Sequence, residues 1–340
     1  MNRKTQLSAA VVVAVVGLAG CGGGGGSGAA ASGARVTGVI TELSQPAAAG
    51  ALAGAASGGN ARITVNDVAY TLADDVRIEV EDAEGKVADL AEGQVVTLHS
   101  ATDDHGVNLA TAITMDDEVE GVVFAVDAAA GTMNVMGLNV EFGQTTRFER
   151  DDQDTPIDAH AIDSGYVVEV HGYPSGTGII ATRIEVKAPD WTLYDDEFEL
   201  KGVIISAAAD AINVAGAAIG TDSNTQLDDM PTSRTQWPGL YVEVKTTADK
   251  VDLGSGTFTA TEIELEDDDE SHGDDGDEME IEGVLSVQGN AVTISGRTVK
   301  VSERISREVL ASFDGKLVEV EGHFTDGALV IDHIELEDGD

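Results

Sequence analysis

The stretch "GKLVEVEGHFTDGALVIDHIELED" occupies residues 315–338. An apolar–polar alternation runs into Thr325-Asp326-Gly327. A second alternation follows, with Ile334 and Leu336 set against Glu335 and Glu337. Successive side chains of a strand point to opposite faces, so such a segment has one apolar and one acidic face. Two of them around Asp-Gly read as a hairpin. The same piece recurs as "GYVVEVHGYPSGTGIIATRIEVK" from Gly165. It recurs more loosely as "GLYVEVKTTADKVDLGSGTFTATEIELED" from Gly239 and "GQVVTLHSATDDHGVNLATAITMDD" from Gly93. In the Gly165 copy, Tyr166, Val168 and Val170 share one face, and Val167, Glu169 and His171 share the other.

Each copy also has an opening strand carrying Gly-Val: "VTGVITEL", "VEGVVFAV", "LKGVIISA" and "IEGVLSVQ". The opening glycines Gly38, Gly121, Gly202 and Gly283 are 83, 81 and 81 residues apart. The closing glycines Gly93, Gly165, Gly239 and Gly315 are 72, 74 and 76 apart. Regular spacing at two landmarks marks an internal duplication. Between them lies a second hairpin in every copy: 62–79, 132–149, 211–228 and 291–308. Before the fourth strand sits a candidate short helix, clearest in "SREVLASFDG". There Ser306 is the expected cap, Val309, Leu310 and Phe313 the apolar face, and Gly315 the stop.

Three strands, a short helix and two strands in 60–80 residues match the small closed Greek-key barrel called the OB-fold. Closure removes sheet edges that an open sheet would expose. The fold class read from the sequence is therefore all-β: four tandem, five-stranded, OB-like closed barrels joined by short acidic linkers. The expected boundaries are a signal peptide at 1–20, a Gly/Ala-rich tether at 21–34, barrels at 35–117 and 118–188, and a linker at 189–198. A third barrel at 199–266, an acidic linker at 267–278 and a fourth barrel at 279–338 complete the chain.

Arg3 and Lys4 precede an apolar run, Leu7–Gly20, too short to span a bilayer, which ends in Leu18-Ala19-Gly20-Cys21. That ending resembles the lipobox of bacterial lipoproteins. The resemblance implies that Cys21, the one cysteine of the chain, becomes an acylated N-terminus. Two or three acyl chains would hold the protein on a membrane, since each buried methylene contributes about 0.8 kcal/mol. Gly22 after the cysteine implies outer-membrane sorting and an envelope location. With Cys21 acylated, no thiol is left for a disulfide or a redox couple.

The pattern "EVEGVV", a Val-x-Gly turn, "TRFE", "VEVHG" and "ATRIEV" in residues 118–187 resembles a bacterial family known as domain of unknown function 5666. Copies two and four follow it well. Copy three has Thr246 where the family has glycine, and copy one has "VTLHS" and a long insertion. The resemblance supports the barrel and the surface setting and implies no activity.

Asp and Glu number 62 against 19 Lys and Arg, a net charge of −43. Nucleic acid is excluded as a direct partner, because its phosphates would be repelled. The acidic surface suits solubility in salty surroundings. The densest run, "ELEDDDESHGDDGDEMEIE", places Asp267, Asp269, Ser271 and Glu278 at four ligand positions of an EF-hand loop. The register then fails, since His272 stands where the turn needs glycine, so weak Ca²⁺ binding is the expectation there.

The seven histidines do not cluster, and no nucleophile, P-loop or HExxH motif is present. His99 and His171 share a repeat position with Lys245 and Glu321, which reads as an outward-facing strand position. No catalysis is expected. "APDWTLYDDEF" holds Trp191 and Tyr194, expected either to wedge copies two and three apart at a fixed angle or to form a sugar-stacking platform. The functional expectation is a lipid-anchored structural or binding module whose partner is a polysaccharide or an envelope protein. The alternative is a calcium-responsive surface protein using the linker between repeats three and four.

Overall fold

Two backbone devices recur in every copy and set the fold. The first is the turn of the second hairpin. Its two residues both have positive φ in repeat one (Asn66 +47°, Asp67 +58°), as do Met136-Gly137, Ala215-Gly216 and Ser295-Gly296 in the later copies. Such mirror-image turns match the right-handed twist of the strands they join. The opening glycine lies directly beneath this turn. A Cβ at Gly121 would come within 2.2 Å of Met136 Cγ, and one at Gly38 within 1.7 Å of Asn66 Oδ1. The Gly-Val motif thus exists because the hairpin turn folds onto the first strand.

The second device is the closing glycine. Gly93, Gly165, Gly239 and Gly315 have φ between +74° and +94°. Their amides donate to Ile40, Val123, Ile204 and Leu285 of the first strands, each at 2.8 Å. Left-handed backbone there lets the fourth strand begin against the first at little steric cost.

The structure is a computed structural model and describes residues 33–44, 60–81, 83–150, 155–175, 178–266, 275–326 and 328–337. It is all-β apart from one α-helix, Arg307–Phe313, and single 3₁₀ turns. Ser306 caps that helix by accepting from the Val309 amide at 3.2 Å. Leu310 is buried and Phe313 packs on the core, whereas Val309, expected on the apolar face, is exposed.

In repeat one, Arg35–Ser44 pairs antiparallel with Arg62–Val65, which pairs with Val68–Val80. That third strand runs parallel to Asn108–Met115, which returns through Val95–Thr102 to the first strand. The pairings close a five-stranded barrel. The same order holds in repeat four among Glu278–Gln288, Ala291–Ile294, Arg297–Val301, Ala328–Leu336 and Leu317–Thr325. Repeat two follows it with Val119–Asp127, Thr132–Val135, Leu138–Glu141, Gly178–Ala188 and Val167–Ser175. Repeat three follows it with Phe198–Ala207, Ala211–Val214, Ala217–Gly220 and Tyr241–Thr246, its fifth strand split into Thr257–Thr259 and Glu262–Leu265.

The repeats are not separate bodies on linkers. The first strand of repeat one runs parallel to that of repeat four, Arg35 opposite Met279 and Thr37 opposite Ile281. The first strands of repeats two and three meet antiparallel, Glu120 opposite Glu199. One sheet therefore spans repeats one and four and a second spans repeats two and three. Repeats two and three share one apolar core, including Val123, Ile184, Phe198, Ile204 and Trp237. Each fully buried aliphatic or aromatic side chain contributes about 1.5–3 kcal/mol. Repeats one and four keep their own cores around Ile40 and Leu98, and around Leu285 and Phe324.

This packing covers faces that point away from each repeat's own core. Val167 through Tyr173 are all buried, on both faces of the strand. His171, expected to face outward, is 1% exposed for that reason. Arg183, Lys201, Glu243 and Glu282 are buried as well.

Candidate functional site

Repeat two carries a groove at one end of its hairpin. Phe142 and Phe148 flank the break in its third strand, between Leu138–Glu141 and Arg147–Arg150. Their rings meet edge to face, with centroids 5.3 Å apart and planes at 86°. With Gln144, Ile157 and His160 they line a cavity of about 600 Å³, closed on one side by the Ala128–Gly131 turn. The break is held rigidly. Thr146 is buried, accepts from the Gly143 amide at 2.9 Å and donates to the Ala181 carbonyl at 2.7 Å. The Asp158 carboxylate accepts from the His160 amide at 2.8 Å and fixes the 3₁₀ turn Ala159–Ala161. The positions of Phe142 and Phe148 hold Leu72 and Ile78 in repeat one, Thr221 and Leu227 in repeat three, and Val301 and Arg307 in repeat four. Two rings stand together here in repeat two alone. Sequence reading passed over them, although the copies set side by side carry the signal.

A second cavity, of about 540 Å³, opens where repeats one, two and three meet. Glu81, Glu120, Lys187, Tyr194 and Glu199 line it. Tyr194 donates its hydroxyl to Glu120 and stacks on Phe198 with ring planes 9° apart and centroids 5.8 Å apart. Burial pushes Glu120 up to about 7, although Tyr194 and Lys187 pull the other way. Burial also lifts Glu199 to about 7, helped by Glu243. Glu169 sits deeper. Burial would raise its carboxyl, but His171 Nε2 and Lys187 Nζ, each 2.7 Å away, outweigh that and bring it to about 2. Lys201 Nζ reaches Asp116 at 3.0 Å. Asp117 is 2% exposed, and neither of its carboxylate oxygens has a hydrogen-bond partner among the described residues. Burial holds it well above the usual carboxylate range.

Trp191 stands between repeats two and three. Its amide donates to the Gly165 carbonyl at 3.0 Å, and a Cβ at Gly165 would lie 3.5 Å from its ring and 3.6 Å from Leu253. Trp191 thus packs beside Gly165 and Leu253, while Tyr194, three residues on, stacks on Phe198. Glu278 opens the first strand of repeat four and is exposed. Asp267, Asp269, Ser271 and Cys21 lie outside the described residues. Among the described residues one carboxylate trio is close enough to share a cation, Glu243, Glu264 and Glu266, with ligand oxygens within 4.8 Å of one another. Lys245 Nζ already sits 2.6 Å from Glu243 and 3.8 Å from Glu264. No helix of the described residues is long and apolar enough to cross a membrane.

Comparison with known proteins gives one family. No curated protein matches the chain. Among solved structures, a multidomain protein with nucleic acid binding domains from Streptococcus pneumoniae TIGR4 aligns over 88% of this chain and 72% of its own. Its identity is 10% and its TM-score 0.16, too low for the two folds to be compared. The family described as "Domain of unknown function (DUF5666)" matches residues 120–185 and 201–264. These two segments, the bodies of repeats two and three, are thus each similar to that family, one directly after the other.

Proposed function

We propose that this is a lipid-anchored envelope protein whose four OB-like barrels form a rigid, non-catalytic binding module, taking a neutral polysaccharide in the groove of repeat two. The observation carrying this reading is the Phe142–Phe148 pair, found in one copy out of four. Aromatic faces suit the C–H faces of sugar rings, and Gln144 and His160 supply hydrogen bonds at the rim. The groove lies at the end of the second and third strands, beside the loop joining the first two, where OB-folds commonly hold oligosaccharides. The ring of strand pairings in each repeat supports the barrel reading. The net charge of −43 disfavours nucleic acid in the same groove. Anchoring through acyl chains on Cys21 would hold the module at the membrane.

The test is a glycan array followed by titration calorimetry on the mature chain. Binding to a neutral glycan should fall at least tenfold in Phe148→Ala and stay unchanged in Leu227→Ala, the same position of repeat three. Equal loss in both variants, or no glycan bound, would overturn the reading. The calcium alternative has one geometric support, the Glu243, Glu264 and Glu266 trio, and Lys245 already supplies positive charge there. A stoichiometric Ca²⁺ site tighter than roughly 1 mM would favour it.

A further inference from the structure

We propose that the carboxylate face of repeat four is a proton-gated seam: protonated, it lets repeats one, two and four pack together, and ionised, it loosens that packing. The geometry starts with strand register. Glu282 lies directly opposite Glu319, and Glu319 directly opposite Glu335. In the neighbouring row Glu280 faces Glu321, which faces His333. Directly opposed side chains have Cβ atoms about 5 Å apart, and like charges there repel. Three adjacent strands thus carry a carboxylate row along one face.

Water does not fully screen that row. Glu282 is 6% exposed, and Glu280 and Glu319 are half-buried. The cover comes from two other repeats. Repeat one contributes its hairpin turn and third strand: Asn66 donates to Glu280 at 2.8 Å, Asp67 adds a further negative charge near Glu282, and Tyr70 lies near Glu280 and Glu319. Repeat two contributes Tyr173, 2% exposed, beside Glu282. On the adjoining first strand Arg35, in register with Met279, lies over the Phe324 ring at 5.9 Å. At the open end His333 is 3.7 Å from Glu335. The strongest charges on Glu319 are those of Glu280, Glu335, Glu337 and Glu282, all of its own sign.

A metal ion fits this face poorly, because its carboxylates are not among those close enough to share one. A proton needs no such convergence. Burial and then the neighbouring glutamates push Glu319 up to about 8. Burial chiefly lifts Glu282 to about 7, against the pull of the neighbouring Tyr173 hydroxyl, and Glu280 rises for the same main reason. Each of these groups binds its proton more tightly folded than unfolded. Their cost to the packed state is therefore absent below about pH 4.5 and grows as pH rises toward 8. Neutral pH lies inside that window.

Hydrogen exchange on the full mature chain tests the seam, with rates corrected for their intrinsic pH dependence. The opening equilibrium of amides in residues 278–284 and 317–321 should rise at least tenfold between pH 5.5 and 8.5, one pKa unit being tenfold. Glu282→Gln with Glu319→Gln, which mimics the protonated pair, should show less than a threefold rise. A wild-type-like rise in that variant, or no rise in the wild type, refutes the seam. Should the double variant not fold, Glu319→Gln alone and a carbon-detected titration of the glutamate carboxyls decide. A Glu319 midpoint near neutrality supports the proposal, and one at the ordinary carboxylate value overturns it.

Discussion

Repeats two and four place the same rows at the same register and balance them differently. In repeat two the row is Glu120, Glu169 and Glu185. In repeat four it is Glu282, Glu319 and Glu335. Both lie under neighbouring repeats. Around the first stand His171, Arg183 and Lys187, and at the matching positions of the second stand Glu321, His333 and Glu337. Arg183 holds Glu149 at 3.0 Å and Glu185 at 2.7 Å. His171 and Lys187 hold Glu169, at the centre of the first row, far below neutrality, although burial lifts Glu120 beside it to about 7; Glu319, at the centre of the second row, lies above neutrality. A buried carboxylate can be neutralised by a fixed cation or by a proton, and only the second depends on pH. One duplicated backbone has taken both routes.

Removing the cation from repeat two should convert it to the other kind. Lys187→Met leaves Glu169 largely buried with one partner fewer, and we expect a loss of about 2–3 kcal/mol at pH 8, since breaking a buried pair costs about 3–5 kcal/mol and Lys187 is partly exposed. Urea unfolding should show the loss shrinking toward pH 5, as Glu169 protonates. A pH-independent loss would mean that Lys187 acts through packing instead.

The comparison also requires that both faces share one backbone. Gly121→Ala would press on Met136 Cγ and Gly283→Ala on Ile294 Cγ2, at 2.2 and 2.7 Å. Overpacking of this kind costs roughly 1–3 kcal/mol, so each should lower the urea midpoint by a similar amount at every pH. A gap that widened with pH would tie the glycine to the charges rather than the turn.

Grafting runs the other way. Glu337→Lys gives repeat four the lysine that repeat two has at that position. Because the site is exposed, the gain should be about 0.5–1 kcal/mol at pH 8, fading as pH falls below about 7, where Glu319 and Glu282 take up their protons with or without the lysine. The smallest effect is expected from Glu335→Gln, at the exposed end of the row, under about 0.5 kcal/mol. A larger change there would move the centre of the seam outward from Glu282.

Much of this could be read in the sequence. Opening and closing glycines, second hairpins and the capped helix at Ser306 follow from spacing and turn chemistry, all local signals. The pairing of repeat one with repeat four could not be read. It joins Arg35 to Met279 across the whole chain, and no periodicity encodes which repeats meet. The burial of His171 was hidden for a related reason. A polar strand face has the same letter pattern whether water covers it or another repeat's charges do. The Phe142–Phe148 groove was visible as two letters that differ between copies, but the break in the third strand that sets the rings edge to face was not.

The parallel join of repeats one and four has a mechanical side. A pull on the chain from its N-terminal side enters at Arg35, along the axis of a strand bonded to Val95–Thr102 on one flank and to Met279–Ile281 on the other. Both ladders are then loaded in shear, many bonds at once, instead of being peeled one by one. A tug at that end is shared at once with the most distant repeat in sequence.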